Sequence, residues 1–202
     1  KYLDSIFDPE EEETIDNLYR CYFWMAFGGI DEEDTILIKT EDVDLENMEI
    51  RYKSVSVPIY RDALPAFRNA ITLNSFLYKH PKYSKLIRRE RIPGDTIMRG
   101  IKATTKTFTM RTTLSKRNIK AIEEGKTDLQ LSFYRVRMSG LFYRTYEIER
   151  AGGTVDFSDA ALRLMDGKTY SLSGREKIEH KQRRIERDYF EDYQRWKLAF
   201  SM

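Results

Sequence analysis

One stretch of the sequence decides the fold, residues 28–45, which read GGIDEEDTILIKTEDVDL. The paired glycines at its start end an apolar helical pattern, because glycine favours the backbone conformation that terminates helices. Beyond them we predict a second short helix that carries Ile36 and Leu37. A polar turn over residues 44–47 follows, and two short strands come next, so the chain changes from helix to sheet here.

The flanking sequence predicts longer elements. Upstream, an aspartate cap followed by a proline predicts a helix from residue 8 to Gly28. Downstream, residues 48–52 and 55–59 predict a β-hairpin around a tight turn at Lys53-Ser54. Residues 62–77 then predict another helix, in which a proline is tolerated because it falls in the first turn.

The rest of the chain predicts one connection and three helices. Residues 81–113 have weak periodicity and one Pro-Gly turn, which predicts a loop-rich connection with short helices. Apolar spacing predicts an amphipathic helix over residues 132–150, ended by the glycine pair 152–153. A short helix over residues 158–164 and a charged helix with aromatic positions over residues 175–200 follow.

Composition limits the classes of protein to consider. The chain has 202 residues, of which 41% are hydrophobic, so it is long enough and apolar enough to fold around a core. The longest apolar run, residues 21–30, is too short to cross a bilayer. The single cysteine, Cys21, excludes a disulfide within the chain and favours a reducing, cytoplasmic location. We expect a buried structural thiol at this position.

Charge is distributed unevenly, although the net charge is only +2. Residues 1–49 hold sixteen acidic against three basic side chains, whereas residues 78–120 hold thirteen basic against two acidic ones. Basic side chains interspersed with Ser, Thr and Tyr suit contacts with nucleic-acid phosphates. The alternative is a solvated surface that balances the acidic quarter. The DNA-binding residues predicted in this segment are Arg88, Arg89, Arg91, Lys102, Lys106 and Arg111.

The acidic stretch resembles the first active-site box of the tyrosine recombinases, the phage-integrase family. That box runs Gly-Leu-Arg-x-x-Glu-Leu-x-x-Leu-x-x-x-Asp-Val-Asp before a short hairpin, and residues 28–45 match most of it in register. The family's first catalytic arginine falls on Asp31. A cation that contacts the scissile phosphate is therefore replaced by an anion.

The second family box, His-x-x-Arg at the start of a long helix, resembles residues 131–139, LSFYRVRMS. Arg137 corresponds to the second catalytic arginine, and its planar guanidinium suits bidentate contact with a phosphate. Tyr134 replaces the family's histidine and could still donate a hydrogen bond. Because the ordinary pKa of tyrosine is about 10, Tyr134 is a poor acid or base near neutral pH. We expect it to be a packed aromatic at the helix N-terminus.

The other family positions match less closely. Lys53 stands in the hairpin where the family places a lysine that protonates the leaving oxygen, although turns are often polar for other reasons. Lys168 takes the place of the third box's histidine. The usual position of the nucleophile is not a tyrosine here, and our first candidate is Tyr193, ahead of Tyr189 and Tyr170. Amphipathic packing of the last helix also explains the first two.

The resemblance spans residues 9–168 and implies a mainly α-helical fold with a small antiparallel β-sheet or hairpin. It divides the chain into an integrase-like catalytic domain, residues 1–170, and a helical tail, residues 171–202, that packs on the core or on a neighbouring protomer. It implies double-stranded DNA as the partner and recombination or integration as the family's reaction. With Asp31 in place of an arginine, we expect a degenerate site and weak or absent cleavage.

The sequence also supports a second class of function. A non-catalytic regulatory or protein-interaction module that reuses the fold would employ the acidic N-terminal quarter and the aromatic C-terminal helix for partner contacts. Neither hypothesis calls for a cofactor. The glycine pairs lack nucleotide-binding spacings, and two scattered histidines lack the spacing of metal ligands.

Overall fold

The fold is mainly α-helical with two small antiparallel sheets, so the predicted fold class is confirmed. The structure is a computed structural model that describes residues 3, 6–7, 14–53, 55–79, 85–99, 106–157 and 175–200. It divides into two compact units, residues 1–140 and residues 141–202. The predicted domain boundary at residue 170 and the predicted helix over residues 158–164 lie outside the described residues.

The described part contains six α-helices, five strands and two single-turn 3₁₀ helices, at Thr40–Asp42 and Arg61–Ala63. No helix in that part is both long and apolar enough to cross a lipid bilayer. In chain order the elements are α1 (Ile15–Gly28), α2 (Glu32–Thr35), β1 (Val43–Asp44), β2 (Glu49–Tyr52), β3 (Val55–Pro58), α3 (Leu64–Thr72), β4 (Ser75–Lys79), β5 (Leu86–Glu90), α4 (Lys106–Glu123), α5 (Phe133–Arg150) and α6 (Arg175–Phe200).

Helix α1 lies at the centre of the first unit's core. Tyr22, Phe23 and Met25 are almost completely buried on it, because apolar residues occupy most of its circumference. The predicted burial of Cys21 is confirmed, and this burial raises the pKa of its thiol well above the usual range. The part of the predicted helix before residue 14 falls largely outside the described residues.

The glycine pair ends α1 as predicted. Gly29 has a φ of 102°, the left-handed conformation that glycine adopts without strain. Its N–H donates to the carbonyl of Ala26, and the N–H of Ile30 donates to that of Met25. Helix α2 starts directly afterwards, but it ends at Thr35, so the prediction that it carries Ile36 and Leu37 is wrong.

The predicted hairpin is confirmed as β2 and β3, with β1 added at the edge of β2. Ile50 pairs with Val57, and both side chains are buried against the core. Lys53 occupies the turn with a φ of 55°.

Two elements differ from the sequence-based expectation. Helix α3 ends at Thr72, and residues 75–79 form β4 because they pair with β5, which lies in the predicted loop. Helix α4 also occupies residues predicted as loop. Its buried Met110, Leu114 and Ala121 are separated by polar residues, which weakens the helical pattern in the sequence.

Helices α5 and α6 agree with their predicted bounds. Within the first unit, α5 approaches the end of α1 so closely that a Cβ at Gly140 would lie 1.7 Å from the carbonyl oxygen of Phe27. This backbone approach requires glycine and holds the middle of α5 against the last turn of α1.

Candidate functional site

The candidate site is built around four consecutive acidic residues, 31–34, here called the acidic block. Gly29 ends α1 and turns the chain, so Asp31 becomes the N-cap residue of α2 and the other three form its first turn. Carboxylates are favoured at this position by the partial positive charge of a helix N-terminus. The block therefore presents a dense negative charge beside the β2–β3 hairpin and the start of α5.

Asp31 and Arg137 lie together, which is the placement predicted from the resemblance. The Nη2 atom of Arg137 is 3.2 Å from Oδ1 of Asp31, and its Nε donates to the carbonyl oxygen of Gly29 at 3.2 Å. The Arg137 side chain is only 10% exposed, whereas that of Asp31 is 47% exposed. Asp31 thus neutralises the charge of Arg137.

Glu32 pairs with the second cation of the site, Arg111. Arg111 of α4 donates from Nε and Nη2 to its two carboxylate oxygens at 2.7 and 2.5 Å, which is a bidentate pair. The hydroxyl of Tyr22 donates to the same carboxylate at 3.0 Å. The hydrogen bonds to Glu32 raise the pKa of the Arg111 guanidinium. Burial, followed by the charge of Glu32, raises the pKa of the Tyr22 hydroxyl. Arg111, predicted to contact DNA, is held at the acidic block.

Asp34 pairs with the third cation of the site, Lys53. The Nζ atom of Lys53 lies 3.1 and 3.0 Å from the two carboxylate oxygens of Asp34. The neighbouring Tyr52 hydroxyl donates to Asp34 at 3.2 Å, and burial followed by the Asp34 charge raises the pKa of Tyr52. Lys53 is therefore positioned by the hairpin turn onto the block.

The arrangement has a direct electrostatic consequence. Three of the predicted site cations, Arg137, Arg111 and Lys53, each bind a different carboxylate of one helical turn. A DNA phosphate that approached them would have to displace a carboxylate and then remain beside it. Like charges about 4 Å apart repel by about 1 to 4 kcal/mol at effective dielectric constants between those of water and a protein surface.

Tyr134 does not pack as predicted. Its side chain is 61% exposed at the N-terminal end of α5, three residues before Arg137. Phe133 takes the buried position instead, and its ring lies 5.2 Å from that of Tyr22. Adjacent side chains on a helix point about 100° apart, and at the start of α5 the direction of the core falls on Phe133 and not on Tyr134.

The basic segment places its residues in different environments. On β5, Arg88 donates to the Ser75 hydroxyl at 2.8 Å, and the Arg89 guanidinium lies 4.7 Å from the centre of the Tyr78 ring. Both side chains are exposed. Lys106 is the first residue of α4. Lys102 and Lys168 lie outside the residues that the structure describes.

Arg91 requires a correction. It is only 8% exposed, and its guanidinium donates to the carbonyl oxygens of Ala70, Leu73 and Ile97. A guanidinium used in this way supports the connection between α3 and β5 and does not reach a DNA phosphate. We therefore remove Arg91 from the predicted DNA contacts.

Two of the three candidate nucleophiles, Tyr189 and Tyr193, lie in an aromatic cluster of the second unit. The other members of this cluster are Phe142, Phe157 and Trp196. Tyr193 is fully buried, and its hydroxyl donates to Glu149 at 2.7 Å. Burial, followed by that hydrogen bond, raises the pKa of Tyr193 above its usual range. Tyr189 is 3% exposed and shares a 2.7 Å hydrogen bond with Thr145. Packing, the alternative considered for both, is what the structure shows, and Tyr170 lies outside the described residues.

Sequence reasoning missed the partners of the cations. Glu32, Asp34, Tyr22 and Tyr52 complete the site, yet none was a candidate residue. The signal that could have found the acids was their unbroken run at a helix start, next to a turn lysine. The tyrosines left no comparable signal, because their spacing fits ordinary core positions.

Comparison of the chain with protein-family models gives no match, and comparison with curated proteins gives none either. The site is accordingly interpreted from its own geometry and from the resemblance of its two boxes.

Proposed function

We propose that this chain is a DNA-binding protein with the tyrosine-recombinase fold, acting at recombination or integration sites without cutting DNA efficiently. The observation that carries the proposal is the pairing of Arg137, Arg111 and Lys53 with the acidic block. Transfer of a phosphoryl group requires unopposed cations where negative charge develops. Here those positions are neutralised from within the protein, which disfavours catalysis at this site.

The burial of the tyrosines supports the same conclusion. A tyrosine attacks a phosphodiester only when its oxygen can approach the phosphorus and lose its proton. Tyr193 and Tyr189 are buried, with raised pKa values and with hydroxyls bonded to Glu149 and Thr145. Reaching a phosphate would require disrupting the aromatic cluster.

DNA affinity in this proposal comes from basic side chains outside the acidic block. Arg88 and Arg89 are exposed on a narrow two-stranded hairpin, a shape that can follow a duplex backbone. Each cation that neutralises a phosphate releases a counterion, so such binding weakens steeply with salt. The proposal includes a reducing, cytoplasmic setting and allows a homo-oligomer formed through α6.

The test combines binding with cleavage on the same DNA. Fluorescence anisotropy with a labelled duplex should show binding at low salt and a log-log salt slope of several units. Incubation with a nicked suicide substrate, followed by a denaturing gel and mass spectrometry, should show no covalent DNA–tyrosine adduct. An adduct on Tyr193, Tyr189 or Tyr170 would overturn the non-cleaving assignment.

Absence of binding even at low salt would favour the second hypothesis, a protein-interaction module. The observation that supports this alternative is the exposure of Phe190, Leu198 and Phe200 on α6. Large apolar side chains on a helix surface are typical of partner contacts when they are contiguous.

A further inference from the structure

An open groove of about 430 Å³ lies on the second unit, between α6 and Phe157 in the segment that follows α5. Its other described lining residues all come from α6, namely Arg183, Glu186, Arg187 and Phe190. They recur at intervals of three and four residues, so they form one face of the helix. The volume falls within the range of small-molecule sites. None of these lining residues belongs to the acidic block or to the candidate DNA contacts.

The aromatic wall of the groove is fixed in place by packing. The Phe157 ring lies edge-on to that of Phe190, with centroids 5.1 Å apart and an interplanar angle of 86°. Its centroid also lies 6.2 Å from those of Tyr189 and Tyr193, so the aromatic cluster limits its movement. Phe190 is 45% exposed. An exposed ring beside an open groove gives a flat surface on which another planar ring can stack.

The polar wall of the groove carries a net positive charge, because it has two arginines and one glutamate. Arg183 and Arg187 are both exposed, and they lie about one helical turn apart. Asp188 pairs with Arg187 at 3.1 Å and with Arg184 at 3.7 Å. Arg183, by contrast, forms no ion pair with any residue that the structure describes. A guanidinium that remains available in this way suits the phosphate of a ligand.

The two walls together require three features of a ligand. These are a planar ring for Phe190, an anionic group for Arg183 and a hydrogen-bond donor for the Glu186 carboxylate. A nucleotide with an unpaired base has all three, since its base has a π face and N–H donors and its phosphate is anionic. A phosphotyrosine side chain supplies the ring and the anion, but its ring carries no donor for Glu186.

We propose that this groove binds one unpaired nucleotide of single-stranded DNA. The base stacks on Phe190, and the phosphate pairs with Arg183 and Arg187. An amino group of the base donates to Glu186, as glutamate accepts from the amino group of cytosine. Cytosine is therefore preferred over thymine, which has no amino group. The site lies wholly within the second unit, whereas the β4–β5 hairpin belongs to the first, so the inference does not rest on the proposed duplex binding.

Fluorescence anisotropy of the full chain with a labelled oligodeoxycytidine of about eight nucleotides tests the proposal. Phe190→Ala should weaken binding by at least about fivefold, because stacking on the ring is lost. Phe200→Ala removes another exposed ring of the same helix and should leave the affinity unchanged. Affinity for a duplex should not change in either variant, because paired bases are stacked inside the duplex. Equal single-strand affinities for the parent and Phe190→Ala, or no single-strand binding by the parent, would overturn the proposal.

Charge variants and crosslinking give independent measurements. Arg183→Gln should reduce the log-log salt slope for the single strand by about 0.7, whereas Arg184→Gln, which removes the same charge from the adjacent position, should not. Glu186→Ala should abolish the preference for oligodeoxycytidine over oligodeoxythymidine. Photo-crosslinking with 5-iodocytosine, followed by mass spectrometry, locates the base in the unmodified protein. A crosslink to Phe157 or Phe190 supports the proposal, and crosslinks found only elsewhere in the chain overturn it.

Discussion

The acidic block and the aromatic cluster both engage side chains that the family resemblance assigns to catalysis, but they do so by different physical means. At the block, Lys53 and Arg111 are more than half exposed, and water competes with each ion pair. In the cluster, Tyr193 is fully buried and its ring packs against other aromatic rings. The acidic block is held by ion pairs that solvent reaches, whereas the aromatic cluster is part of a hydrophobic core.

The difference indicates how easily each group could be made available to a ligand by substitution. Lys53 or Arg111 is released by changing one carboxylate, because each of these side chains is more than half exposed. The Tyr193 hydroxyl is released only if the cluster opens, since the whole ring is buried. Neutralisation by an exposed ion pair is therefore reversible by a single substitution, whereas burial of the tyrosine is not.

The largest effect is expected in the aromatic cluster. Tyr193→Ala should lower the free energy of unfolding by about 3 to 5 kcal/mol, because it removes a fully buried aromatic ring. Tyr193→Phe keeps the ring and should cost about 1 kcal/mol through the lost hydrogen bond to Glu149. Urea denaturation followed by circular dichroism measures both. Similar stabilities for the alanine variant and the parent would mean that Tyr193 is available to move.

The second prediction concerns cations outside the block. Arg88→Ala combined with Arg89→Ala should reduce the log-log salt slope of DNA binding by about two. At 0.1 M salt this corresponds to a loss of affinity of roughly sixtyfold. Arg61→Ala, an exposed arginine elsewhere in the first unit, is the matched control and should change little. An unchanged slope in the double variant would move the DNA surface away from the hairpin.

The third prediction tests the block directly. Asp31→Asn should increase duplex affinity by about eightfold at 0.1 M salt, because it frees Arg137 for one additional phosphate contact. Asp31→Arg should increase it at least as much. Asp128→Asn removes the same charge at another exposed position and serves as the control. Identical isotherms for parent and both Asp31 variants would show that the block does not face DNA.

The smallest effect is a pH dependence within the cluster. Lys197 first, and Tyr193 second, hold the pKa of Glu149 below its usual value of 4.5. A carboxyl whose folded pKa is depressed contributes stability above the unfolded value, and that contribution is lost as pH falls through the folded pKa. Below about pH 4.5, Glu149→Gln should therefore lose less stability than the parent on acidification. Parallel curves in urea melts from pH 6 to 3 would contradict this linkage.

Local sequence signals account for the elements that were predicted correctly. The glycines at 28–29 end α1, the alternation around Lys53 specifies β2 and β3, and the spacing of apolar residues specifies α5 and α6. Each signal operates over a few neighbouring residues, where backbone conformation and side-chain periodicity are determined. The convergence of Asp31 and Arg137 was also predicted, from the resemblance of two separate segments to two active-site boxes.

The sequence by itself thus determined the helical class, the central hairpin and the run of acidic residues that follows α1. Only the tertiary structure decided which partner each basic side chain has. Arg111 bonds to Glu32 across 79 residues, and Arg91 enters the core because α3 and β5 supply its carbonyl acceptors. The sequence does not distinguish a basic residue that faces solvent from one that pairs with a carboxylate or is buried in the interior. Its free energy in each place depends on partners brought together by the fold, and that is why the long-range pairing had to be observed.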